Sequence, residues 1–367
     1  MAGAGWSSLP ADLLKEVSGR LSSDADHLHI HQVCTHCSTS PPAALRPWVV
    51  TGRVGRTRLE PIGEYSLRLP RGDGRRLELG APPAGLPYCC GASRGWLALV
   101  DDGQSPTRLV LWEPLSSTEI SLQCLSPLTR IFISDDPLTS SDWIAIAAQI
   151  KGEIGRKTLF WRPGDATWTM MNERGTCEID TVAFHGGKAY YIDIQQNIVI
   201  CDLNTGSDPS PRCAPIFFAC SVVNKLCRCP RLHPVCGVHL AVCNGELLLV
   251  VLYYWGSHPS PAEAYKPVWT PNQRLELHER VRDLGDHSLF VGRGDTFALS
   301  AKEFPVIKRN CIYYAGIACN KPYWVSVFHL ESDVVEEIPY MEKLKEGRTN
   351  RTPYAWFRPR KPFLKQS

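Results

Sequence analysis

Methionine is scarce in this chain, with 4 in 367 residues. Long apolar runs are missing too. The longest is Leu247 to Trp255, well short of the ~20 residues that cross a bilayer as a helix, so no membrane partner is expected. Neither sign of charge is in excess: 40 Lys and Arg stand against 37 Asp and Glu, a formal net charge of +3. That balance excludes a molecule built as a whole to bind a polyanion, and no nucleic-acid partner is expected. The N-terminal stretch carries Asp12, Lys15 and Glu16 and lacks the roughly 7–15-residue apolar stretch of a secretory signal. No His-Glu-x-x-His pair or Gly-x-x-x-x-Gly-Lys-Ser/Thr loop occurs, which removes the carriers of zincin and P-loop chemistry. The chain is expected to be intracellular, in the cytoplasm, the nucleus or both, with no cofactor and no catalysis of its own.

What the chain has is 11 Trp, 12 Tyr and 15 Cys, with 44% hydrophobic and 21% charged residues. This is a globular composition, too apolar for disorder and suited to β structure with many turns. In a reduced compartment most of the cysteines act as small buried apolar fillers. At about 150 residues per domain the length allows two domains.

The first of these reads as helical. Ser8 can cap a helix, with Pro10 in its first turn. Leu9, Leu13, Val17 and Leu21 then recur every fourth residue, with Leu14 beside them, making an amphipathic stripe. Asp26 can cap a second helix carrying Val33, Cys34 and Cys37, which Pro41-Pro42 ends. A short third segment runs towards Trp48. Helices over 6–48 are too few to be stable alone and need a partner surface. A linker is expected over 49–60.

From 61 to 357 short apolar or alternating runs alternate with turn signals. Gly95 to Val100, Arg108 to Trp112, Thr158 to Arg162, Lys188 to Ile192 and Trp324 to Phe328 read as strands. Asn244-Gly245 between Leu240–Val242 and Leu247–Tyr254 is a hairpin signal. Many meandering strands with almost no helix between them indicate a β-propeller, and at ~40–50 residues per blade six or seven blades are expected. Trp96, Trp112, Trp161 and Trp168 are expected to pack between blades.

The segment Leu9-Pro10-Ala11-Asp12-Leu13-Leu14, followed by Arg20-Leu21 and Val33-Cys34, resembles an F-box. The blocks Cys90-Gly91-Ala92-Ser93-Arg94-Gly95-Trp96-Leu97, Trp161-Arg162-Pro163-Gly164-Asp165-Ala166-Thr167-Trp168 and Leu284-Gly285-Asp286-His287-Ser288-Leu289-Phe290 are similar to plant F-box proteins that carry a KIB-type β-propeller. That resemblance implies a substrate receptor of a Skp–cullin–F-box ubiquitin ligase. Its adaptor-binding residues would be Leu9, Pro10, Leu13, Leu14, Val17, Leu21, Val33 and Cys34. A Skp-type adaptor and, through it, a cullin scaffold would be the partners, with a protein substrate on the propeller. One position departs from the family: Cys37-Ser38 stands where a Trp-Arg pair is usual, which removes on the order of 3 kcal/mol of packing. The F-box is therefore read as degenerate but still folding on its partner. The alternatives are a non-ligase interaction protein with a decayed F-box and, behind it, a propeller enzyme.

Three further clusters stand out. Cys227, Cys229, His233, Cys236 and His239 have the residue types of a zinc site. The Cys-x-Cys spacing and the stiffening Pro230 and Pro234 favour a Cys-rich loop, so no metal is expected. Gly292-Arg293-Gly294-Asp295 introduces no helix and reads as a hairpin turn. Arg358, Arg360, Lys361 and Lys365 read as a solvated basic tail over 358–367.

Overall fold

The computed structural model describes residues 10–21, 26, 47–53, 62–68, 82–102, 105–125, 128–151, 155–172, 179–193, 198–203, 212–216, 235–253, 261–269, 275–292, 294–304, 306–315, 324–339 and 351–360. Helix α1 spans Ala11–Arg20. Pro10 precedes it, and its carbonyl accepts the Leu13 N–H at 3.1 Å. Asp12 in the first turn and Arg20 in the last complement the helix dipole. Glu16 and Arg20 pair at 2.5 Å on the exposed surface, a contact of a few tenths of a kcal/mol at most. Asp26 is helical and exposed. The rest of the expected second helix, with Val33, Cys34 and Cys37, lies outside the described residues.

The remainder is β structure. Strands β1 (Trp48–Arg53), β2 (Ile62–Arg68), β3 (Tyr88–Ser93), β4 (Trp96–Val100), β5 (Leu109–Glu113) and β6 (Thr118–Leu122) run antiparallel in the first sheet. The second holds β7 (Leu128–Ile133), β8 (Ala145–Lys151), β9 (Gly155–Trp161) and β10 (Thr169–Asn172). The third holds β11 (Ile179–His185), β12 (Lys188–Asp193), β13 (Ile198–Asp202) and β14 (Arg212–Ile216), and the fourth β15 (Val235–Cys243), β16 (Glu246–Tyr253), β17 (Ala262–Trp269) and β18 (Leu275–Val281). In the fifth, β19 (His287–Gly292) leads into the short β20 (Gly294–Asp295), which pairs with β11 of the third sheet. The fifth sheet continues with β21 (Phe297–Ser300), β22 (Cys311–Ala315), β23 (Trp324–His329) and β24 (Val334–Pro339). The last strand, β25 (Arg351–Phe357), returns to pair with β1.

Alternation along each strand sends its side chains to two different neighbours. In β4, Leu97 and Leu99 face the seam with the fifth sheet, while Trp96, Ala98 and Val100 face the second sheet. In β8, Ala145 and Ala147 pack towards the first sheet, while Ile146 and Ala148 pack towards the third. The described core divides into five clusters, one at each seam: first with second, second with third, third with fourth, fourth with fifth, and fifth with first. The sheets are held against one another by side-chain packing, and each fully buried large apolar residue contributes about 1.5–3 kcal/mol.

Five sheets, rather than six or seven, make this ring among the described residues. Their first full strands start at Tyr88, Leu128, Ile179, Val235 and His287, a repeat of roughly 50 residues at the long end of the propeller range. The first and last strands are hydrogen-bonded into the first sheet, and β25 packs between β3 of that sheet and β19 of the fifth. Two boundaries move as a result. Trp48 is strand, not helix, and Trp48, Val49 and Val50 are completely buried. The segment expected as a linker thus begins inside the propeller.

The Asn244-Gly245 hairpin forms as expected, with both residues at positive φ and Cys243 opposite Glu246. The tryptophans pack between blades. Trp96 and Trp112 are 1% and 2% exposed, and Trp161 lies 5.4 Å from Trp143 and 6.4 Å from Trp168. Cys89, Cys90, Cys243 and Cys311 are buried free thiols. Cys201 in β13 departs from the all-reduced expectation: it is disulfide-bonded, and its register neighbour on β14 is Cys213.

Candidate functional site

One short segment of the chain contacts three other sheets. It is Gly294-Asp295-Thr296, after β19. Gly294 and Asp295 pair in parallel with Thr181 and Val182 of the third sheet. The Thr296 hydroxyl donates to the Leu240 carbonyl of the fourth sheet. Asp295 accepts the Arg94 N–H of the first sheet at 3.2 Å. Gly294 has φ +122, and a Cβ there would lie 3.2 Å from Ala355 Cβ, so only glycine passes. Gly294 and Asp295 therefore sit where the sequence places a hairpin turn, in the connection between the antiparallel strands β19 and β21, and that connection also reaches across to the third sheet.

One face offers a cavity. An open cavity of about 890 Å³ lies between the second and third sheets. One wall is the β7–β8 connection with Ser134, Asp135, Ser141, Asp142 and the buried Trp143. The other is Arg162 with His185, Gly186 and Lys188 at the tip of the β11–β12 hairpin.

Local chemistry sets Arg162 in place. In the Arg162-Pro163-Gly164-Asp165 turn, Asp165 accepts the Arg162 N–H at 2.9 Å and its carbonyl takes the Trp161 indole N–H at 3.0 Å. Trp168 anchors the far side by donating to the Gln123 carbonyl at 2.8 Å. The Arg162 guanidinium then reaches the Leu203 carbonyl at 3.1 Å and lies 5.4 Å above the Phe160 ring. The result is a polar groove with acidic groups on one wall and basic groups on the other. It suits an extended polypeptide that carries charges of both signs.

The sequence-expected sites fare differently. On α1, Leu13 and Val17 are exposed at 48% and 37%, Pro10 is exposed, and Leu21 is half-buried. Leu14 lies on the same helix, while Leu9 lies outside the described residues. Of the Cys-rich loop, Cys227, Cys229 and His233 fall outside the described residues. Cys236 stands at a register shift at the start of β15, and His239 on that strand is 5% exposed. Among the described residues no group of three His, Cys, Asp or Glu is placed to hold a metal ion. The basic tail is not wholly solvated. Arg360 pairs with Asp136 with side chains only 8% and 18% exposed, and Arg358 lies 5.8 Å over the Phe297 ring. Burial lowers the basicity of Arg358, and Asp295 opposes that shift.

Two arrangements look catalytic until their surroundings are considered. Gly91-Ala92-Ser93-Arg94-Gly95 has the Gly-x-Ser-x-Gly form of a nucleophile elbow, a spacing not singled out above. An elbow joins a strand to a helix. Here the turn joins two antiparallel strands, and the Ser93 hydroxyl donates to the Ile133 carbonyl at 3.3 Å. Cys311 Sγ lies 3.3 Å from His329 Nδ1, and His329 Nε2 lies 3.5 Å from Glu336. That is the order nucleophile, base, orienting acid. Burial, however, pushes the Cys311 thiol up to about 11, and the residue is 0% exposed. It remains a neutral thiol with no route to a substrate.

The KIB1-4 beta-propeller family matches residues 65–335. The chain belongs to that family, and its propeller is a protein-interaction domain. No curated protein matches the chain significantly. Among solved structures, TolB from Acinetobacter baumannii is 11% identical with a TM-score of 0.48, covering 91% of this chain and 71% of its own. A glucose dehydrogenase is 12% identical at TM-score 0.37, covering 71% and 89%. A complex described as YCF48 bound to D1 peptide is 8% identical at 0.37, covering 82% and 86%. Likenesses of this order carry no argument about this chain.

Proposed function

We propose that the chain is the substrate-recognition adaptor of a plant Skp–cullin–F-box ubiquitin ligase, working in the cytoplasm, the nucleus or both. The observation that carries the reading is on α1. Leu13 and Val17, one turn apart, are left 48% and 37% exposed on a helix that follows the F-box opening Leu9-Pro10. An exposed apolar pair one turn apart on a helix supports docking against another protein. The propeller would hold the substrate, with the cavity between its second and third sheets as the recognition face. Such an adaptor does no covalent chemistry and needs no cofactor. It raises the effective concentration of its target beside the transferring enzyme.

The test is retention of a recombinant plant Skp-type adaptor by the full chain. Retention by the wild type and a loss of at least about tenfold for Leu13→Asp with Val17→Asp are expected. Retention unchanged by both substitutions overturns the proposal. Cys37 in place of the usual tryptophan favours a second reading, an interaction protein whose F-box has decayed. No retention by the wild type, restored by Cys37→Trp, supports that reading.

A further inference from the structure

The residues after β25 read from sequence as a solvated tail, yet three of them are built into the fold. From Phe357 the chain runs through Arg358, the buried Pro359 and Arg360 across the Arg94-Gly95 turn of the first sheet. A Cβ on Gly95 would collide with Arg360 Cγ and lie 3.0 Å from its N and 3.2 Å from the Arg358 carbonyl oxygen. The segment is therefore pressed onto that turn. Gly95 also has φ +86, a conformation L side chains resist.

Arg360 then reaches Asp136, 224 residues away in sequence. The pair is largely withdrawn from water, at 8% and 18% exposure. Asp136 is the hub of the β7–β8 connection. Its carboxylate accepts the Trp96 indole N–H at 3.0 Å and the Leu138 N–H at 3.1 Å. Its carbonyl accepts the Thr139 and Ser140 N–H groups, each at 3.0 Å. That connection is one wall of the cavity.

We infer that Arg358–Arg360 is a strap that fixes the wall of the recognition cavity through the Arg360–Asp136 pair. Arg360 is a positioning residue. The inference rests on the reading of that face as the substrate-binding one. It makes recognition depend on Arg358–Arg360, far in sequence from the cavity wall. The same strand closes the ring, through pairs such as Trp48 with Phe357, so closure and the shape of the cavity are mechanically linked.

The experiment is amide hydrogen exchange on the full chain, comparing wild type, Arg360→Gln, Arg360→Lys, and the swap Arg360→Asp with Asp136→Arg. Removing one partner of a poorly solvated pair leaves the other charge stranded. Arg360→Gln should speed exchange at Leu138, Thr139 and Ser140 by about tenfold or more, with β15–β18 unchanged. Arg360→Lys should recover part of the protection, and the swap should not, because an arginine at 136 cannot accept the Trp96 and Leu138 N–H groups. Unchanged exchange over 134–144 overturns the strap. Acceleration spread evenly over all five sheets also overturns it, since Arg360 would then only support global stability. Proteins held by the wild-type propeller provide the second arm, and weaker retention by Arg360→Gln is expected. A loosened wall with every such protein still held overturns the link to recognition and the recognition-face reading, while leaving the geometry of the strap intact.

Discussion

Replacing Trp356 tests how the ring is closed. Trp356 sits in the last strand at 1% exposure, opposite Val49 of β1. Its indole N–H donates to the Val291 carbonyl at 2.9 Å. Its ring stands edge-on to Phe290 at 5.1 Å and to Tyr313 at 6.5 Å. One side chain thus joins the first strand, the last strand and the fifth sheet. Trp356→Ala removes a large buried ring, which costs about 3–5 kcal/mol. It also leaves a buried carbonyl without its donor, about 1–3 kcal/mol more. A total of about 4 kcal/mol or more is expected. Trp356→Phe keeps most of the ring and loses the hydrogen bond, so about 1–3 kcal/mol is expected. The assay is urea unfolding followed by fluorescence, with hydrogen exchange on β19, β22 and β25 to locate the loss. An alanine variant that costs under about 1 kcal/mol would refute the reasoning, because a cavity of that size at a closing seam cannot be relieved so cheaply.

Three further outcomes are expected. Gly95→Ala should destabilise more than Gly245→Ala by about 1 kcal/mol or more in thermal unfolding. Both glycines have positive φ, but only Gly95 has the C-terminal segment against it; equal losses would contradict that contact. Asp101 is held down to about 2: burial opposes the shift but is outweighed by hydrogen bonds from the Thr107 hydroxyl and N–H and the Arg108 and Asp102 N–H groups. Its contribution is therefore complete above about pH 4 and disappears as pH falls through about 2. A carboxylate titration by NMR should show that midpoint, with Thr107→Val moving it upward; a wild-type midpoint near the ordinary value contradicts the cause given. Cys311 should resist iodoacetamide at pH 8 in the folded chain and react only on unfolding, as read by peptide mass mapping. Rapid native labelling would mean that the thiol is neither buried nor neutral.

The strands were legible because their pattern is local. Val-rich and Trp-rich runs, Asn244-Gly245 and the helical stripe through Leu13 and Val17 declare themselves within a few residues. The blade count was not local. Whether β1 and β25 build a blade or extend one depends on the pairing of Trp48 with Phe357, across the whole chain. Gly294 and Asp295 read as part of a hairpin turn and lie in one, between β19 and β21, but their reach to other sheets depends on Thr181 and Arg94, both far away in sequence. Arg360 reads as tail because Asp136 lies 224 residues away. The Arg162-Pro163-Gly164-Asp165 block was visible as a motif, but not as the arm that carries a guanidinium into a cavity. The residues beside it at the cavity, His185 and Lys188, come from a different sheet.

The central claim is an adaptor in two parts, a helical arm for the ligase and a propeller for the substrate. Quantitative affinity purification of the full chain beside a copy lacking residues 1–46 tests it most directly. The cut stops short of Trp48, which is completely buried and pairs with Phe357, so the propeller keeps its closing strand. The account predicts that a Skp-type adaptor and a cullin accompany the full chain and vanish from the truncated one, while the propeller's own partners stay with both. An adaptor that remains on the truncated chain, or that accompanies neither, would contradict it.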